Sequence, residues 1–484
     1  MASVFSKNKV IGLLLGPALF IIFYFLLSQT ELTYKAVVIL SLGAWMVTWW
    51  VTEAAPIPVT ALLPMILFPL FSLATAREAA APYGDSIIFL FMGGFMIALG
   101  LEKHNLHQRI ALNLIRLTGT SGNGIIMGFM LSTALISMWI SNTATAVMML
   151  PIASSVTSLL KKEISEVDKP KFDRFATGLM LSIAYAASIG GIATIIGTPP
   201  NVVTVGFIKR FYDQDVSFAT WMVIGIPLML TILASCYIII TRILYPSRLK
   251  SIEGSNELIS GKLAELGAIS KEEKRVLVIF AVTCFFWIFR QNLNALIGSN
   301  LLDDTTIAMT GGILMFITPI DLKSASFILD WSDMKNLPWG ILLLFGGGLC
   351  LAQGMEDAGL VQMVGDQISK QGTMSTGTLV VALSGISMFL TELMSNVALT
   401  TIFVPVVLGI ADGLNISPII LAMPVSFAAS CAFMMPISTP PNAILFASGY
   451  ISVKQMMKAG VLLNLFSLIL ISIAMLTIGM YLYA

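Results

Sequence analysis

Trp139-Ile140-Ser141-Asn142-Thr143-Ala144-Thr145-Ala146 puts a polar break inside an apolar stretch that runs from 124 to 160. A second paired stretch, 378–410, breaks the same way at Ser395-Asn396-Val397, 254 residues further on. Gly197-Thr198-Pro199-Pro200-Asn201 returns as Ser438-Thr439-Pro440-Pro441-Asn442 at an offset of 241. Phe91-Met92-Gly93-Gly94-Phe95 and Phe345-Gly346-Gly347-Gly348-Leu349 are again 254 apart. The shorter offset fits the charged insert Lys161 to Arg174, which Gly409 to Pro418 replaces. Matched landmarks in one order make an internal repeat.

The material between these landmarks is membrane-like. The chain has 484 residues, 57% hydrophobic and 11% charged, with a mean hydropathy of +0.90. Soluble chains carry roughly a quarter charged residues. Spans are readable at 10–28, 35–52, 57–74, 86–102, 176–207, 219–245, 276–296, 303–320, 338–354, 418–448 and 457–483. Each suits the ~20 residues that cross a bilayer. The reading is an all-α polytopic membrane protein of about eleven transmembrane helices plus two re-entrant helical hairpins. The first stretch follows Lys7 and Lys9 like a signal peptide, yet it is long and lacks a clear cleavage site. It reads as a retained helix.

The repeat reads as inverted. Five spans separate the two hairpins, and an odd number puts their mouths on opposite faces. Charge gives the orientation independently. With the N-terminus in the cytoplasm, 21 of the 27 lysines and arginines fall inside. Only Lys35, Arg77, Lys209, Arg210, Arg290 and Lys370 fall outside, as does the C-terminus. The net charge of +1 points to no nucleic acid and no acidic partner.

Broken helices at membrane depth are tolerated where they line a cavity, and paired breaks in inverted repeats are the usual build of a secondary transporter. Ser141, Asn142 and Thr143 can cap the helix that follows them. Prolines after Thr198 and Thr439 suit a helix start. Four helix N-termini would then favour an anion. The hydroxyl, amide and carbonyl oxygens are hard neutral ligands for Na⁺. No lysine, arginine or histidine lies in the four motifs, so a bound dianion needs helix ends and cations to offset its charge. Glu392 is the one carboxylate positioned for proton coupling, or else for a structural hydrogen bond.

With those motifs, and with Ser430-x-x-Phe433-x-x-Pro436-Ile437-Ser438-x-x-x-Asn442, nearly the whole chain resembles the divalent anion:sodium symporter family. The resemblance implies a homodimer in the plasma (inner) membrane with elevator-type transport units. Scaffold helices would occupy 1–122 and 275–371. Transport units would occupy 123–247 and 372–484, with a cytoplasmic linker at 248–274. It implies one Na⁺ site at Ser137, Ser141, Asn142 and the backbone of Gly197. A second would use Thr391, Ser395, Asn396 and the backbone of Ser438. Substrate carboxylates would meet Asn142, Thr143, Thr198, Asn396 and Thr439, beside Pro199 and Pro440. Val397 departs from a full Ser-Asn-Thr and removes a hydroxyl from that set. The implied activity is Na⁺-coupled import of C4-dicarboxylates or related Krebs-cycle carboxylates. The alternatives are a Na⁺-independent dicarboxylate exchanger and a sulfate- or arsenite-type carrier.

The remaining features read as structural. Cys236, Cys284, Cys350 and Cys431 stand singly in apolar segments. The glycine pairs suit close helix packing. His104 and His107 fit the cytoplasmic membrane surface better than a metal site, and Trp49 and Trp50 read as interfacial anchors or packing. An intramembrane enzyme would need a nucleophile or metal that the polar breaks do not offer.

Overall fold

The structure, a computed structural model, describes residues 7–163, 168–247, 249, 254–321, 323, 326–369 and 374–483. Outside them lie Arg248, Lys250 and Lys370 of the charge balance, residues 164–167 of the charged insert, and the 371/372 boundary.

Most helices begin where a short polar side chain meets an apolar run. Thr33 caps Tyr34–Thr52, Asp85 caps Ser86–Lys103, and Ser121 caps Gly122–Ser137. Ser217 and Ser375 do the same for Phe218–Ile238 and Thr376–Leu390. Each side chain accepts a hydrogen bond from an N–H that the first turn leaves unpaired. Thr75, Ser270 and Ser452 complete full capping boxes with Glu78, Glu273 and Gln455.

The two halves repeat one plan. A hairpin of Gly122–Ser137 and Asn142–Glu163 precedes a broken helix, Lys169–Gly191 and Pro199–Tyr212. A hairpin of Thr376–Leu390 and Asn396–Gly413 precedes the broken helix Pro418–Ala429 and Pro440–Phe446. Between the hairpins run the first broken helix, Phe218–Leu244, Lys271–Ile297, Asp304–Ile317 and Trp339–Asp357. Among the described residues, 9 helices are long and apolar enough to cross a membrane. Two of those are the return arms of the hairpins, Asn142–Lys161 and Asn396–Gly413. Length alone therefore does not make the hairpins re-entrant. Leaving those arms out and counting Ile57–Leu70, Asp304–Ile317 and the two broken helices restores the expected eleven.

Burial sorts the elements. Pro418–Ala429 is buried at every residue, and Lys169–Gly191 is buried from Phe175 onward. Lys7–Leu27 and Lys271–Ile297 expose most of their apolar side chains, as a lipid-facing rim does. The broken helices thus form the centre. They also exchange partners. Pro199–Tyr212 packs against the second hairpin's Asn396–Gly413, while Pro440–Phe446 packs against the first hairpin's Asn142–Glu163.

Several expectations are refined. The span at 57–74 is two short helices, Ile57–Thr60 and Leu63–Leu70. The polar linker is not loose: Ser255–Glu265 packs on the amphipathic helix Leu106–Leu117, and Arg109 Nε donates to Glu273 Oε1 at 2.7 Å. Pro319–Asp321 and Ser326–Phe327 form a small antiparallel pair, the one departure from all-α among the described residues. The glycines do pack closely, since a Cβ on Gly93 would lie 2.4 Å from the Ala308 backbone and one on Gly347 2.1 Å from the Ala61 carbonyl. Trp50 is packed inside, with Nε1 donating to the Ile57 carbonyl at 3.2 Å. His107 is likewise buried within the protein, its Nδ1 2.9 Å from the Leu101 carbonyl oxygen.

One buried ion cluster joins three helices. Arg290 and Asp304 are 5% and 6% exposed, with Nε 3.4 Å from Oδ1. Arg290 also pairs with Asp215, and Asp304 Oδ2 accepts the Phe218 N–H at 2.9 Å. Asp304→Ala would leave Arg290 buried beside a single partner. Losing one member of a buried pair typically costs about 3 kcal/mol or more. The variant should therefore unfold at a clearly lower temperature in a detergent melt, whereas Lys209→Ala, which removes the exposed pair with Asp213, should not.

Candidate functional site

The tips of the hairpins are turns at 138–141 and 391–395, and the breaks in the central helices span 192–198 and 430–439. The first break is wider than Gly197-Thr198-Pro199-Pro200, because the helix already ends at Gly191. Each break is tied by one buried asparagine. Asn201 Nδ2 donates to the carbonyls of Gly191 (3.0 Å) and Thr194 (2.8 Å). Asn442 Nδ2 donates to those of Ala432 (3.0 Å) and Met435 (3.0 Å). These amides satisfy carbonyls that a broken helix leaves without a backbone donor.

The hairpin tips close on the breaks through a second matched set. Ser137 Oγ lies 2.6 Å from Asn142 Oδ1 and 2.7 Å from the Ala187 carbonyl oxygen. Thr391 Oγ1 lies 2.7 Å from Asn396 Oδ1 and 2.7 Å from the Ala429 carbonyl oxygen. A hydroxyl carries one proton and can donate to one of its two neighbours. Three oxygens thus converge with a single proton in each half, at buried hydroxyls. A monovalent hard cation among such oxygens would replace the missing donor. The amide nitrogens of Asn142 and Asn396 have no acceptor among the described residues, which leaves them able to donate to a carboxylate.

Backbone spacing brings the rest of the first half-site together. A Cβ on Gly191 would stand 2.9 Å from Asn142 Oδ1, 3.0 Å from the Gly197 carbonyl and 3.1 Å from Thr198. Only glycine permits that approach. In the second half, Ser438 Oγ lies 3.2 Å from the Glu392 carbonyl oxygen, which places Ser438 beside Thr391 and Asn396. Ser426 Oγ, donating at 3.2 Å to Asn201 Oδ1, joins the two broken helices.

Capping is uneven across the four helix starts. Ser141 Oγ accepts the Ala144 N–H at 3.2 Å, but Ser395 makes no capping bond. Thr439 Oγ1 accepts the Asn442 N–H at 3.4 Å, but Thr198 makes none. Ser395 and Thr198 therefore keep their hydroxyls for other partners. Pro440–Phe446 has only 7 residues, so three of the four helix ends are full-length dipoles. Ser141, Thr143 and Pro440 are exposed at the edges, and Pro199 is half-buried. Val397 is turned into apolar packing against the main core and the smaller cluster around Trp50.

Glu392 is 4% exposed and fully engaged, accepting from the N–H groups of Phe433 (2.8 Å), Met434 (2.9 Å) and Met435 (3.2 Å). Asn464 Nδ2 (2.9 Å) and Ser438 Oγ (2.6 Å) complete its partners. This is the structural alternative named for it, not a carboxyl facing a water path. No group of three or more histidine, cysteine or acidic side chains that could hold a metal occurs among the described residues. Sequence reading missed the roles of Asn201 and Asn442, although both recur in the repeated motif. It missed Gly191 as well, which had no duplicate to signal it because Ala432 stands at the matching place.

The family description "sodium:sulfate symporter transmembrane region" matches residues 7–484. The chain belongs to this family. It is 40% identical over 474 residues to a protein of Staphylococcus saprophyticus named sodium-dependent dicarboxylate transporter SdcS, covering 96% of this chain and 91% of that one. A protein of the same name from Staphylococcus aureus is 39% identical over 470 residues, with 96% and 90% coverage. Among solved structures, the YdaH transporter of Alcanivorax borkumensis superposes with a TM-score of 0.56 at 15% identity, covering 84% of this chain and 88% of that one. MtrF of Neisseria gonorrhoeae gives 0.54 at 12%, with 84% and 83% coverage. These structural likenesses establish the fold.

Gly191→Ala should test the close approach at the first half-site. The added methyl cannot avoid Asn142, Gly197 and Thr198 together, so transport should fall at least tenfold with the protein still folded. Gly43→Ala, where nothing lies within 4 Å of the new Cβ, should transport at wild-type rate in the same assay.

Proposed function

We propose that the protein is a secondary transporter that imports small dicarboxylates together with Na⁺. The observation that carries this reading is the duplicated oxygen cluster, Ser137–Asn142–Ala187 and Thr391–Asn396–Ala429, with one proton for two acceptors in each copy. The name shared by the relatives, sodium-dependent dicarboxylate transporter, supports the same pairing of ion and anion.

In this reading Ser137, Ser141, Asn142 and the Gly197 carbonyl hold one Na⁺. Thr391, Ser395, Asn396 and the Ser438 carbonyl hold the other. The amide nitrogens of Asn142 and Asn396 donate to the two carboxylates of the substrate. Thr198 adds its hydroxyl to them, and Thr143 and Thr439 close the edges beside Pro199 and Pro440. Helix starts at Asn142, Pro199 and Asn396 add partial positive charge. Bound Na⁺ offsets the remainder, which makes anion binding depend on the cation.

The proposal extends to the frame. The hairpins are re-entrant, and the repeats are inverted with the N-terminus in the cytoplasm and the C-terminus outside. Segments 123–247 and 372–484 move together as an elevator past scaffold helices 1–122 and 275–371 of a homodimer in the plasma (inner) membrane. The exchange of half-helices between hairpins supports a single moving unit, because neither broken helix can shift without the other repeat's hairpin.

Uptake of radiolabelled succinate into proteoliposomes tests the function. Accumulation above equilibrium with an inward Na⁺ gradient, and not with K⁺ or H⁺ gradients, is the expected outcome. Uptake that ignores Na⁺ and requires internal dicarboxylate would make it an exchanger. Transport of sulfate without competition by succinate would make it an inorganic-anion carrier. Val397→Thr returns the hydroxyl that the second motif lacks, and it should change the ratio of succinate to citrate transport at least threefold while the Na⁺ requirement stays.

A further inference from the structure

The two half-sites share one plan but differ in charge at one position. In the register that pairs Ser137 with Thr391, Met138 pairs with Glu392. The backbone carbonyls at that position match in having a hydroxyl beside them, Thr194 Oγ1 at 2.6 Å in the first half and Ser438 Oγ at 3.2 Å in the second. The side chains do not. In the first break the N–H groups of Ile192 and Ala193 bond back to the carbonyls of Ile189 (3.2 Å) and Gly190 (3.1 Å). The equivalent N–H groups, of Phe433 and Met434, bond to the Glu392 carboxylate, as does that of Met435. One break is held by its own backbone, the other by a side chain with a charge.

All five partners of that carboxylate can donate to it: three N–H groups, Asn464 Nδ2 and Ser438 Oγ. None is a cation, and Glu392 takes part in none of the ion pairs among the described residues. A buried charge compensated only by dipoles keeps a strong local field. That field acts on Ser438, 2.6 Å away, and on Thr391, the next residue in the chain. Both belong to the second cation site of the symport reading, on which this inference rests. Met138 brings no charge to the first site.

We propose that Glu392 makes the two half-sites unequal, acting as a positioning residue whose carboxylate gives the second site the tighter hold on Na⁺ and repels the dianion until that Na⁺ is bound. The second site then fills first. The substrate gains little before it, because the field of the carboxylate opposes an anion until that Na⁺ offsets it.

The test uses the full chain in proteoliposomes with radiolabelled succinate. Glu392→Gln keeps the shape and removes the charge. It should raise the half-saturating Na⁺ concentration tenfold or more, leave the succinate KM at saturating Na⁺ within twofold, and admit measurable succinate uptake without Na⁺. Asn464→Ala is the safer variant for folding, since it removes a donor from the carboxylate and leaves the loop N–H bonds in place. With less compensation, the carboxylate should lower the half-saturating Na⁺ at least twofold. A merely structural network would raise it. An unchanged Na⁺ response in folded Glu392→Gln, or an unchanged or raised Na⁺ requirement in Asn464→Ala, would overturn the inference while the symport reading stands. A wild-type protein with no Na⁺ response would overturn both.

Discussion

Everything at the centre of this protein follows from a helix that stops inside the bilayer. Where Lys169–Gly191 and Pro418–Ala429 end, their last carbonyls have no intrahelical donor and no water to turn to. Asn201 and Asn442 supply the donors, each from the first turn of the half-helix that resumes the span. That solution fixes the length and path of both breaks. It also leaves Gly197 and Ser438 near the hairpin tips, Gly197 across Gly191 from Asn142 and Ser438 at the Glu392 carbonyl. The polar gap beside the hairpin tips is therefore a by-product of satisfying the backbone of a broken helix.

The hairpin tips meet the breaks under tight steric control. Gly191 lets Asn142 approach the first break, and glycines behind each break serve a parallel purpose. A Cβ on Gly225 would come 2.7 Å from the Ala193 carbonyl, and one on Gly460 2.3 Å from the Phe433 carbonyl. The helices that follow each break thus press directly on its backbone. Pressing from behind, tying from within and capping from in front leave the oxygen atoms few places to go. Preorganisation of this kind is what a weakly solvated cation site requires.

Much of this was legible in the sequence because it is written twice. Ser141-Asn142 and Ser395-Asn396 stood out through their shared offset, and Thr-Pro-Pro-Asn carried both the helix start and the tying amide. What was not legible lacked a duplicate or depended on contact across the fold. Gly191 is matched by Ala432, and Met138 by Glu392, so neither announced itself by repetition. The cap at Ser141 was legible, whereas residue type alone could not show that Ser395 and Thr198 make none. The burial of His107 was not legible, because sequence alone does not say which face of Leu106–Leu117 lies under a neighbouring helix. Helix length does not separate hairpin arms from spans, since the arms at Asn142 and Asn396 are longer than Ile57–Leu70 and Asp304–Ile317.

The exchange of half-helices has a consequence for ancestry. Pro199–Tyr212 leans on the hairpin of the other repeat, and Pro440–Phe446 returns the favour. A chain of half this length would own a hairpin and a broken helix and still lack the surface each was shaped to meet. It could build the same centre only by borrowing from a second copy of itself. Fusion of two such copies would then turn an encounter between molecules into a permanent fold, and free each half to drift apart in sequence. Glu392 opposite Met138 is the kind of difference that identical partners could never have acquired.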